Sequence, residues 1–175
     1  MSTDDITMQT TATTAIAADG PHTVAGRPRG FTSLTPFLAL PDPAGALAFY
    51  RDVFGAQCVS VTEFGGAVAH AELDFGCGRL QLGIPSPDYG LVAPPAGDTA
   101  CYSLSLYCPD VDALLERAVA AGATVREPVA DFVSGDRYAS VRDPFGVRWS
   151  LMTRVEDLSD AESAARVAEW AAAQS

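Results

Sequence analysis

The stretch Leu38-Ala39-Leu40-Pro41-Asp42, then PAGALAFYRDVF over residues 43–54, then Gly55-Ala56, decides the fold, because the chain writes it twice. The second copy runs Leu106-Tyr107-Cys108-Pro109-Asp110, then VDALLERAVAA over residues 111–121, then Gly122-Ala123. Asp110 follows Asp42 by 68 residues and Gly122 follows Gly55 by 67. A supersecondary unit recurring at a fixed spacing is the mark of a duplicated architecture. Each copy reads as an apolar strand, Pro-Asp, a helix and a Gly-Ala stop. Asp42 and Asp110 are suited to accept hydrogen bonds from the orphan N–H groups of a first helical turn, and Pro43 to the position that needs no N–H. Gly55 and Gly122 suit the left-handed residue after a helix. Leu114, Leu115, Ala118 and Val119 form one apolar stripe at helical spacing.

Outward from the helices, each copy continues as alternating segments. Gln57 to Phe64, a Gly65-Gly66 turn, Val68 to Phe75, the turn Gly76-Cys77-Gly78, and Arg79 to Ile84 complete the first. Thr124 to Glu127, Arg137 to Arg142, the turn Asp143-Pro144-Phe145-Gly146, and Val147 to Thr153 complete the second. The pattern predicts an α+β fold of tandem βαβββ modules. The expected organisation is a flexible N-terminal arm over residues 1–30, a first module over 31–84, a Pro-rich linker over 85–99, a second module over 100–154, and a C-terminal helix within 155–175. Ser159-Asp160-Ala161-Glu162 has the S-x-x-E pattern of a capping box, and Leu158, Ala165 and Trp170 would pack that helix on the body or on a second subunit.

Composition narrows the function classes. The 175 residues are 48% hydrophobic, enough to bury a core. No run of about 18 apolar residues exists, which predicts no spanning helix, and the Thr-rich start lacks the pattern of a secretory signal. The expected location is cytoplasmic, with no membrane partner. A formal net charge of −11, with every basic residue an arginine, opposes a phosphate-backbone partner, so no nucleic acid is expected. Cys58, Cys77, Cys101 and Cys108 show no C-x-x-C pair and read as reduced structural thiols.

The paired βαβββ units, with Pro-Asp before each helix, Phe49-Tyr50-Arg51 and Asp143-Pro144-Phe145-Gly146, resemble the vicinal oxygen chelate superfamily. That group holds glyoxalase I, extradiol dioxygenases, fosfomycin-resistance enzymes and bleomycin-binding proteins. His70-Ala71-Glu72-Leu73, Gly135-Asp136-Arg137-Tyr138, Trp149 and Val155-Glu156-Asp157-Leu158-Ser159 are similar to the PhnB-like branch. The resemblance spans about residues 31 to 165. It implies sheets curled around a concave cavity, helices on the convex side, a homodimer and a small-molecule ligand.

In metal-dependent members of that superfamily, each module gives one ligand from its first strand and one from its last. The matching positions here are Thr35 and Gln81 in the first module, Ser103 and Ser150 in the second. Such a quartet supplies no carboxylate or imidazole, so no metal and no cofactor are expected. Strand alternation then places Phe37 beside Thr35, Ser105 and Tyr107 beside Ser103, Arg79 beside Gln81 and Arg148 beside Ser150. Leu34, Leu38, Leu80, Leu82, Leu104, Leu106, Trp149 and Leu151 fall on the opposite, helix-packed face.

His70 and Glu72 share one strand face with Asp74 and form the one constellation suited to proton chemistry. The alternative for them is a solvated polar face. Tyr102, Tyr107, Phe132, Tyr138 and Trp149 are candidates for an aromatic floor or for core, and Arg148 for gripping an anion or for an ion pair. Two functions therefore compete. One is metal-independent binding of a small organic ligand, a drug or secondary metabolite, by Thr35, Phe37, Gln81, Ser103, Ser105, Tyr107, Tyr138, Arg148 and Ser150. The other is a lyase or isomerase of the same superfamily with His70 and Glu72 as catalytic acid-base residues, acting with or without the assistance of a metal.

Overall fold

The computed structural model describes residues 16–174 and divides into two compact units, one ending at Leu34 and the other beginning at Thr35. Of the arm expected to be flexible, residues 1–15 lie outside the described residues. Within the rest, β1 (Thr23–Val24) pairs antiparallel with β2 (Arg27–Pro28) around Ala25-Gly26, and Arg29 Nη2 donates to the Gly20 carbonyl at 3.0 Å. A short hairpin thus stands where irregular chain was expected. Two-residue strands leave no period in the sequence by which to see it.

The second unit carries the duplication. Its first half runs β3 (Phe37–Ala39), α1 (Pro43–Asp52), β4 (Gln57–Phe64), β5 (Ala67–Asp74) and β6 (Arg79–Gly83). After a 3₁₀ turn at Pro87–Tyr89 come β7 (Ser103–Tyr107), α2 (Val111–Ala120), β8 (Thr124–Phe132), β9 (Asp136–Arg142), β10 (Arg148–Arg154) and α3 (Asp160–Ala173). The sheets have the orders β3-β6-β5-β4 and β7-β10-β9-β8, and the first strand of each module lies parallel to its last. The helix is the crossover that a parallel pair requires.

The local signals act as their chemistry dictates. Asp42 Oδ1 accepts from Gly45 N at 2.9 Å and Asp110 Oδ1 from Ala113 N at 3.0 Å, while Gly55 and Gly122 take φ of 75° and 97°. Ser159 and Glu162 cap α3 reciprocally.

Period-two alternation sends one face of each sheet onto its helix. Leu38, Ala71, Leu73, Leu80 and Leu82 bury against Ala46, Phe49 and Tyr50 of α1; Ala139, Val141, Trp149 and Leu151 belong to the same core with Val111, Leu114 and Ala118 of α2. Leu34 departs from the expected face: it precedes the first strand and is 81% exposed. β8 continues to Phe132, past Glu127, where the expected segment ended. Pro128 is tolerated because β8 is an edge strand and the ladder breaks register between Glu127 and Ala130.

One buried cluster ties the halves together. Tyr50 of α1 donates its hydroxyl to Asp143 Oδ2 at 2.6 Å, and Trp149 Nε1 donates to the same oxygen at 2.9 Å. Asp143 Oδ1 accepts from the Phe145 and Val147 amides, each at 2.9 Å. The Asp143-Pro144-Phe145-Gly146 turn therefore holds a carboxylate with four donors inside the core, the condition under which burying that charge is tolerable. Burial, and then the nearby Asp143 charge, push the Tyr50 hydroxyl pKa well above the ordinary tyrosine range. Phe54 and Trp149 stack edge to face with ring centroids 4.9 Å apart, across the same module boundary. Among the described residues, no helix is long and apolar enough to cross a membrane.

Candidate functional site

The sheet faces turned away from the helices carry the polar residues, and pairing register determines which of them meet. In the first module Phe37 lies opposite Gln81, and Gln81 opposite Glu72. Gln81 Nε2 donates to Glu72 Oε1 at 2.9 Å. Thr35 precedes β3, next to Pro36, whose carbonyl accepts from Gln81 N at 2.8 Å. The His70 ring stacks on the Phe37 ring with centroids 6.0 Å apart, and Phe37 in turn lies against Gly83. A Cβ on Gly83 would stand 2.1 Å from the Ala69 carbonyl oxygen and 3.1 Å from Phe37 Cζ, so glycine is what lets that ring lie down. His70 and Glu72 share a strand face two residues apart, but the contact that orients Glu72 comes from Gln81 and the contact on His70 from Phe37.

In the second module Arg148 lies opposite Ser103 and Ser150 opposite Ser105. The Ser103 and Ser150 hydroxyls sit 3.2 Å apart. Arg148 donates to Ser140 Oγ at 3.1 Å and pairs with Glu127 at 3.3 Å, so its charge is already answered within the sheet. Arg137, with Asp136 beside it in sequence, pairs instead with Asp112 and Asp131, while Asp136 pairs with Arg154.

A cleft of about 350 Å³ opens on this face, lined by Ser105, Tyr138 and Ser150 from the expected set. Glu127, Phe132, Ser134, Asp136 and Met152 complete it. Glu127, Ser134, Asp136 and Met152 were not singled out as ligand contacts by sequence reasoning. Met152 and Asp136 were within reach of it, standing on the same faces two residues after Ser150 and two before Tyr138; Ser134 was not, because the β8–β9 turn folds it in. Phe132 forms the end wall, edge to face with Tyr138 at 6.2 Å. Tyr107 falls elsewhere. It lines, with Ser105, a smaller apolar slot of about 240 Å³ between β7 and the β5–β6 turn, where Trp149 is floor and core at once.

The donor set can be tested against the divalent ion that metal-dependent members of the resembling superfamily hold. Gln81 offers a neutral carboxamide whose nitrogen is engaged with Glu72, and Ser103 and Ser150 offer hydroxyls facing each other. First-row divalent ions take imidazole, thiolate or carboxylate ligands, three or more together. Among the described residues, no three His, Cys, Asp or Glu side chains converge. The residues at these positions do not fit such an ion. What they fit is hydrogen bonding to a neutral polar edge, beside an aromatic and thioether wall.

Known proteins share this fold. An uncharacterized protein of Mycobacterium tuberculosis is 36% identical over 132 residues, 73% of this chain and 77% of that protein. The crystal structure of TioX from Micromonospora sp. ML1 superposes with a TM-score of 0.57 at 29% identity, covering 70% of this chain and 98% of TioX. A lactoylglutathione lyase from Agrobacterium tumefaciens shares the fold, with a TM-score of 0.51 at 24% identity over 71% of this chain and 96% of the lyase. A family model described as the Glyoxalase/Bleomycin resistance protein/Dioxygenase superfamily matches residues 30–151, a span that takes in both βαβββ modules and ends within β10. With its tandem mixed sheets and their helices, the chain belongs to the glyoxalase/bleomycin resistance protein/dioxygenase superfamily.

Proposed function

We propose that the protein binds a small organic molecule, a drug or secondary metabolite, on the concave face of its sheets without the help of a metal. The observation that carries this reading is the cleft on the second module. Its volume, about 350 Å³, lies within the range of small-molecule sites, and its lining mixes aromatic and thioether surface with a few convergent hydroxyls. Tyr138, Phe132 and Met152 supply apolar contact, and Ser105 and Ser150 supply orientation. The net charge of −11 favours a cationic ligand on approach. On this reading the protein works in the cytoplasm as a homodimer. The second copy covers concave faces that one chain leaves half open and takes up exposed apolar residues such as Val59 and Val61.

The test is a thermal-shift panel of aromatic cationic antibiotics on the full chain. A ligand present at about 100 times its Kd stabilises by about 2.7 kcal/mol, which melting resolves easily. The expected result is a saturable rise for at least one class, lost in Ser150→Trp, which fills the cleft. A panel that leaves melting unchanged up to high micromolar concentrations contradicts the proposal. A lyase or isomerase built on His70 is the second reading, favoured by the placement of that half-buried ring on the first module's inner face. It requires His70→Ala to abolish turnover while melting is kept.

A further inference from the structure

A second hollow lies outside the inner sheet faces, between α3 and the end of β8. Its volume is about 560 Å³. The helix that forms one wall begins at Asp160, beyond the last residue matched by the family model. Trp170 of α3 meets Phe132 of β8 edge to face, with centroids 5.1 Å apart, lines the hollow and keeps 44% of its surface exposed. Ala173, one turn on, leaves room beside the indole.

Three independent features give the hollow one sign. First, three carboxylates and one guanidinium, that of Arg166, line it, which leaves the lining net negative, and the carboxylates are unequally satisfied: Glu156 is held by Arg166 at 2.9 and 3.0 Å and Asp131 by Arg137 at 2.9 Å, whereas Glu169 has no ion-pair partner among the described residues. Second, α3 ends at Ala173 with no basic residue in its last turn, so the negative end of the helix dipole there meets no cationic side chain of its own helix. Third, an indole presents a negative π face to a cation. An anion would be opposed by all three, and a neutral ring would use only the apolar wall.

We infer that the α3–β8 hollow is a second binding site, for an organic cation that carries a ring: the ring packs on Phe132 and the cationic centre lies against Trp170 and Glu169. This site is separate from the one on the inner face, and it shares a wall with it. Phe132 lines both hollows, so an occupant of one bears on the end wall of the other.

The experiment uses the full chain, uniformly ¹⁵N-labelled, and benzyltrimethylammonium as probe, with benzyl alcohol and benzenesulfonate as the neutral and anionic comparisons. The chain has two tryptophans, so two indole N–H signals are observed, and Trp170→Phe assigns them. The expected result is a saturable shift of the Trp170 signal with the ammonium probe at up to about 10 mM, tenfold above a millimolar Kd. The neutral and anionic probes bind more weakly, by about threefold to thirtyfold for the loss of a cation–π contact. Glu169→Gln weakens the ammonium probe alone. Trp170→Leu, at an exposed helical position that tolerates replacement, abolishes the preference for the cation while the melting temperature is kept.

The inference is overturned if the Trp170 signal does not move, if the three probes bind alike, or if Glu169→Gln changes nothing. It is overturned equally if Trp170→Leu lowers the molar mass measured by light scattering, because a second copy of the chain then covers the hollow. Glu169→Gln and Trp170→Leu distinguish this site from the inner cleft, because neither residue lines that cleft.

Discussion

Replacing Tyr50 with phenylalanine removes one oxygen from a fully buried side chain and tests the contact that joins the two modules. In the wild type, Asp143 has four donors: the Tyr50 hydroxyl at 2.6 Å, the Trp149 indole at 2.9 Å and two backbone amides at 2.9 Å. The variant leaves three, and Oδ2 keeps only Trp149. A hydrogen bond to a charged group contributes about 1.5–3 kcal/mol. A chain of this size loses about 2–4 °C of melting temperature per kcal/mol, so Tyr50→Phe should melt roughly 3–12 °C lower. The assay is urea and thermal denaturation at pH 7. The pH dependence adds an independent check. The Tyr50 pKa is raised in the folded state, mainly by burial, so its contribution is fully present below the ordinary tyrosine pKa of about 10 and is lost as pH rises toward the folded value. The gap between wild type and variant should therefore narrow above about pH 10. A variant within about 0.5 kcal/mol of wild type at pH 7, or a gap that widens in alkali, would refute the reasoning.

Three further outcomes follow from the geometry. Gly135 has φ 87°, and a Cβ there would stand 2.9 Å from Leu158 Cδ1, so Gly135→Ala should cost at least about 1–2 kcal/mol in denaturant melts. Ser159→Ala breaks the capping box of α3 and should cost about 1 kcal/mol, with Trp170 fluorescence shifting as the helix frays. His70→Ala removes only a stacking partner of Phe37; melting should fall by no more than about 1 kcal/mol, and antibiotic binding in the second-module cleft should persist.

How far the sequence disclosed the molecule depends on the range of each interaction. The duplication was legible because its signals are local. Asp42 and Asp110 cap their own helices three residues on, and Gly55 and Gly122 stop them. Strand parity was legible for the same reason, and it separated Leu80, Leu82, Trp149 and Leu151 from Arg79, Gln81, Arg148 and Ser150. What parity does not contain is the offset between strands. That offset puts Glu72 against Gln81 rather than leaving it to orient His70, and it sends Arg148 to Ser140 and Glu127. The Tyr50–Asp143 bond spans 93 residues and leaves no local trace. Nor does the folding of Ser134 into the inner cleft, where Arg154 of β10 and Ser163 of α3 both donate to its carbonyl.

The most direct test of the account is metal content, by plasma mass spectrometry, on protein purified without chelator or affinity tag and then titrated with nickel, zinc and manganese. The donors at Gln81, Ser103 and Ser150 predict trace, irreproducible metal and no saturable uptake. One ion per chain, reproducibly bound and lost in His70→Ala or Glu72→Gln, would contradict metal-independent binding and make the first module's inner face a metal centre.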